Sequence, residues 1–137
     1  MNALIEQGFV AILQAALPDL HISPATTAEI LPGDLQALIV ECPEVEAVAG
    51  PLHRATVKLH LGTPAFDHAE SAHRTTARAL SSALAPAPSL APTFHGAASS
   101  LYLCGLHQRS QSESIIDTTW RSTLELVAGI STEPPLG

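Results

Sequence analysis

With 137 residues, 46% of them apolar and only 4% aromatic, the chain is long enough for one domain with a core of Leu, Ala, Val and Ile. A formal charge of −7, with six Arg and Lys scattered singly, excludes a protein that grips nucleic acid through its phosphates. No apolar run reaches the ~18–20 residues of a membrane span, and the opening MNALIEQGFV has no basic region before its apolar residues, so neither signal peptide nor anchor is expected.

Residues 2–17 place Leu4, Ile5, Val10 (or Phe9), Ile12 and Leu13 at helical spacing, with Asn2 as the expected N-cap and Pro18 as the stop. Such a stripe is wide enough to lie on a sheet. Residues 18–34 hold three prolines and no sustained period. They read as a loop, with a short strand or turn around Thr27–Ile30 as an alternative. LQALIVECP (35–43) reads as a strand ended by proline, and 44–50 either extends it or forms an acidic turn. RATVKLHL (54–61) alternates cleanly: Ala55, Val57, Leu59 and Leu61 point one way, Arg54, Thr56, Lys58 and His60 the other. One face of its sheet is therefore packed and the other wet. The Gly50–Pro51 connector makes an antiparallel hairpin the economical arrangement of these two strands.

Residues 62–88 carry a helix. Asp67 and Glu70 form a capping-box pattern, Glu70 and Arg74 stand four apart, and Ala69, Ala72, Thr76, Ala79, Leu80 and Ala83 line one side. Pro86 and Pro88 end it. SSLYLCGLH (99–107) is a third strand and WRSTLELVAGI (120–130) a fourth, with Trp120, Ser122, Leu124, Leu126 and Ala128 opposite Arg121, Thr123 and Glu125. Residues 131–137 are a flexible tail. The order α-β-β-α-β-β predicts a single α+β domain over 1–137, two helices on one face of a four-stranded, mostly antiparallel sheet. The polar stretch 107–119 extends the last hairpin or hangs from its end as a loop. Either form is an arm suited to gripping a neighbouring chain. Deleting 108–118 is expected to leave a folded monomer that no longer assembles.

Candidate chemistry is sparse. His68 and His73 flank Glu70 but stand five apart, which turns their rings roughly 140° away from each other on a helix. They fail the i, i+4 metal motif and are expected to face solvent. His53, His60, His95 and His107 show no zinc spacing. Cys42 and Cys104, both in strands, read as buried free thiols of a reducing compartment. There is no G-x-S-x-G elbow and no glycine-rich phosphate loop. No catalytic residue, metal or cofactor is therefore expected. Glu44 and Glu46 read as a solvated edge. Trp120 is a core residue by default, with a subunit-interface anchor as the alternative. Arg109, Glu113 and Asp117, four apart, are exposed loop charges or an inter-subunit ion-pair ladder.

The order of elements resembles the tail-terminator or tail-completion proteins of long-tailed bacteriophages. The likeness lies in GLHQRSQSESIIDTTWRSTLELVAGI (105–130), in ALIEQGFVAILQAALP (3–18) and in the Ala-rich middle helix. It covers nearly the whole chain as a pattern rather than a signature motif, and segments 18–34 and 85–93 have no place in it. The resemblance implies a structural virion protein and no enzyme: a homohexameric ring capping the tail tube at its head-proximal end. Its partners would be further copies of itself, the tail tube protein and the head-side connector. DNA would pass through the lumen without specific binding, and assembly would occur in the host cytoplasm. Arg109, Glu113, Asp117, Trp120 and Arg121 would then lie at subunit interfaces, and Glu41, Glu44 and Glu46 would face an acidic lumen that phosphates do not stick to. The alternatives are a related neck component and a small bacterial adaptor or ligand-binding α+β module.

Overall fold

The computed structural model describes residues 1–25, 36–64, 69–84, 87–116 and 119–134. The elements run α1 (Asn2–Ala16), β1 (His21–Pro24), β2 (Ala37–Ala49), β3 (Leu52–Pro64), α2 (Ala69–Ala83), α3 (Ala87–Ala97), β4 (Tyr102–Ile116) and β5 (Thr119–Ser131). They form a mixed α+β domain with a five-stranded sheet in the order β1-β2-β3-β5-β4. Only the β1–β2 pair is parallel.

The described residues thus hold one strand and one helix more than expected. β1 falls in the segment read as a loop and pairs His21–Pro24 with Ala37–Val40. Four residues ending in proline carry no readable period; what holds them is the buried pair Leu20 and Ile22. The alternative at Thr27–Ile30, like the cap residue Asp67, lies outside the described residues. α3 occupies the proline-rich stretch. Pro88 sits in its first turn, where a missing N–H costs nothing. Pro92 stands inside the helix, and burial of Phe94 against α1 outweighs that penalty.

Alternation sets the layers. Leu38, Val40 and Cys42 of β2, Ala55, Val57, Leu59 and Leu61 of β3, and Leu124, Leu126, Ala128 and Ile130 of β5 are buried on one side, beneath all three helices. No helix among the described residues covers the opposite side. On α2 Ala69 and Leu80 are buried as predicted, but His73 and Ala77 complete the stripe, while Ala72, Thr76, Ala79 and Ala83 are only half-buried. In α1 the buried set is Ile5, Glu6, Gly8, Phe9, Ile12 and Leu13, while Leu4 is exposed. Gly8 is required by packing, since a Cβ there would run into the Phe94 ring.

Two turns in the chain have local causes. The β2–β3 hairpin closes through Gly50 (φ 55°) and Pro51, matching a type II′ turn with its glycine first. β2 does not stop at Pro43 but passes through it at a bulge between Glu41 and Glu44. α1 completes that bulge: the Cys42 N–H donates to Glu6 Oε2 at 3.0 Å, and Asn2 Nδ2 donates to the Cys42 carbonyl at 2.7 Å. Asn2 therefore does not cap its own helix, whose N-cap is Met1. Glu6, which interrupts the apolar run in the sequence, is the side chain that makes the bulge tolerable inside the core.

Candidate functional site

Two polar constellations stand out, one buried and one open. The buried one crosses the interface of α2 with the sheet. His73, fully buried, lies 2.7 Å from Thr63 Oγ1 through Nδ1 and 2.7 Å from Ser122 Oγ through Nε2. Gln36 Nε2 donates to the same Thr63 oxygen at 2.8 Å, and the Thr76 hydroxyl donates to Gln36 Oε1 at 3.0 Å. This corrects the expectation that His73 faces solvent; His68 lies outside the described residues. The signal was the i, i+4 series Ala69–His73–Ala77, which places the histidine between two small residues on one side of α2. Burial holds the His73 pKa below the usual histidine value, since no water solvates an imidazolium there; the Glu113 carboxylate opposes that shift and Arg74 adds to it. Ser122 beside a histidine has the look of a nucleophile and its base. Ser122 is also buried, however, so the pair serves as a hydrogen-bonded core plug rather than a site open to substrate.

The open constellation is the uncovered face of the sheet. Cross-strand register lays its side chains in rows: Ile39, His60, Thr123 and Ser112; then Glu41, Lys58, Glu125 and Ser110; then Glu44, Thr56, Val127 and His107. Beyond them Glu46 stands opposite Arg54. Charges of opposite sign thus alternate across neighbouring strands, the favourable arrangement on a sheet surface. Arg54 reaches Glu46 at 2.9 Å, His60 lies 3.2 Å from Glu41 and 3.1 Å from the Thr123 hydroxyl, and Ser110 donates to Glu125 at 3.4 Å. A shallow concavity of about 470 Å³ opens at one end of this face, lined by Ile39, His60, Gly62, Ser114, Arg121 and Thr123 among others.

The residues picked from the sequence divide between the two sides. Glu41, Glu44 and Glu46 share the open face, since the bulge keeps Glu41 and Glu44 in phase, but they stand among Arg54, Lys58 and His60 rather than as a bare acidic surface. Arg121 lies on the same face, and Arg109 reaches it from the second bulge of β4, 3.9 Å from Glu125. Glu113 and Trp120 lie on the helix side. There Arg74 sits 5.8 Å from the Trp120 ring centroid, pairs with Glu70 and approaches Glu113 at 3.4 Å. Asp117 is outside the described residues. Cys42 is buried, its thiol pushed up to about 11 by desolvation and the nearby Glu6 carboxylate. Cys104, contrary to expectation, is exposed, because a bulge after Leu103 turns it out of the core.

Among the described residues no group of three or more His, Cys, Asp or Glu is placed to hold a metal ion. No described helix is long and apolar enough to cross a membrane. No family model and no curated protein matches the chain. Solved structures do: one chain, 16% identical and without a functional name, superposes over 97% of this chain and 94% of its own with a TM-score of 0.56. What the two share is the fold.

Proposed function

We propose that this protein is a ring-forming tail terminator of a long-tailed bacteriophage, which caps the tail tube and offers a surface to the head-side connector. The stretch that resembles that family, residues 105–130, is a single hairpin of β4 and β5. The observation that carries the reading is the outer strand of that hairpin. β4 runs for 15 residues along the sheet edge, and every side chain from His107 to Ile115 is exposed. A solitary domain keeps such edges short or covered, because unpaired N–H and C=O groups invite another chain. A long polar edge, blunted by two bulges and with no further strand paired to it among the described residues, suits a subunit that meets neighbours of its own kind. Among the described residues, polar groups are gathered in the buried His73 network and in surface ion pairs, an arrangement that suits a structural role.

Light scattering after size-exclusion chromatography and electron microscopy of the purified protein test this. The expected result is a closed ring with a central channel and a mass near six times the 14.3 kDa of the chain. Added to polymerising tube subunits, the ring should stop their growth. A protein that stays monomeric at all concentrations and leaves tube length unchanged would overturn the reading.

A further inference from the structure

Resting on that ring reading, we propose that the uncovered sheet face is where the neighbouring copy docks, with Arg121 as its anchor for a carboxylate of that copy. Charge is the first reason. Copies carrying −7 each repel one another. On the open face, however, Glu41, Glu44, Glu46 and Glu125 are matched by Arg54, Lys58, Arg109 and Arg121, so approach to this face meets no net like charge. Elsewhere on the described surface acids outnumber bases: Asp19, Glu70, Glu113 and Glu133 against Arg74 and Arg78. A ring joins unlike surfaces head to tail. A neutral face that meets an acid-rich one is electrostatically admissible, whereas two acid-rich surfaces are not.

Size is the second reason. Strands spaced ~4.8 Å apart and rising ~3.3 Å per residue make this face on the order of 800 Å², the area one partner contributes to a stable interface. On either side of the central row Glu41–Lys58–Glu125 stand half-buried Ile39 and the Thr56–Val127 pair, apolar area that a neighbour can cover. Arg121 supplies the anchor. Arg54 and Arg109 of the same face each have a carboxylate, but exposed Arg121 has none among the described residues. It borders the concavity together with the hydroxyls of Ser114, Thr119 and Thr123, donors and acceptors that complete the shell of a bound carboxylate.

Two substitutions on this face, Arg121→Glu and Thr56→Arg, test the proposal. Both lie outside the core, so circular dichroism and melting should match the wild type. Sedimentation velocity and light scattering at matched concentrations should show rings for the wild type and, for both variants, monomers or assembly weakened at least tenfold. Wild-type rings together with unaltered rings in both variants would overturn the docking face and leave the ring reading standing. A wild type that forms only a two-fold dimer, lost in the variants, would support the face and overturn the ring. A strictly monomeric wild type would overturn both.

Discussion

A residue that faces a sheet from an overlying helix must be small or bring its own hydrogen-bond partners, and on α2 Ala69 and Ala77 take the first course while His73 takes the second. The neutral imidazole is the form that the burial favours, so the folded pKa lies below that of the unfolded chain. Stability from this group is then fully present above the unfolded value of about 6.5 and is lost as pH falls below it, because only the unfolded chain takes up the proton. Urea midpoints at pH 7.5 and 5.5 should show the decline, and it should shrink in His73→Gln. Gly8→Ala should destabilise by about 1–3 kcal/mol, since the new methyl meets the buried Phe94 ring; the same urea titration reads it. The thiols should separate as well. In the native protein iodoacetamide should alkylate Cys104 and spare Cys42, whose proton is held by burial. Alternation located Cys42 correctly, but it could not foresee that a bulge turns Cys104 outward.

At the level of elements, what could be read depended on whether the period was long enough to see. β3 and β5 alternate over most of their length, and their buried and open faces are those predicted. β1 is four residues long, and α3 contains prolines; both exist because of what they pack against, which local pattern does not encode. The polar arm shows the same limit. Its sequence permitted an extension or a hanging loop, and the structure makes it a strand flush with its neighbours, since β3 accompanies β5 as far as the Pro64–Thr119 pair. This changes the expected effect of deleting 108–118. His107 lies opposite Val127, eight residues from Thr119. One peptide link cannot cross the ~27 Å that eight strand residues span. The deletion should therefore cost the fold itself, visible as loss of the cooperative melt, rather than leave a competent monomer.

For the whole molecule, the sequence conveyed the class α+β and the two-sided sheet, because charge and hydrophobicity alternate in phase. It did not convey how charge is shared out. Counting 13 acids against six bases suggests an acidic body throughout, yet pairing across strands gathers most of the bases onto one face. Glu41, Glu44 and Glu46, picked as an acidic lining, consequently stand in a neutral mosaic. If this mosaic holds copies together, assembly should weaken as salt rises, because exposed pairs are screened over a Debye length of ~8–10 Å. The ring population measured by light scattering should fall steadily as NaCl is raised from about 0.05 to about 1 M, and a salt-independent ring would place its cohesion in apolar contacts instead.

The chain of bonds through the core also has a direction. Gln36 takes a hydrogen from Thr76 and gives one to Thr63, whose hydroxyl still has its own hydrogen and a second lone pair to offer Nδ1 of the imidazole. A neutral ring has one N–H for its two neighbours, so one hydroxyl accepts from it while the other donates to its bare nitrogen. The ring is thereby held from both sides out of reach of water, and nitrogen NMR of labelled histidine should show a neutral imidazole whose N–H exchanges with solvent as slowly as the amides of the central strands.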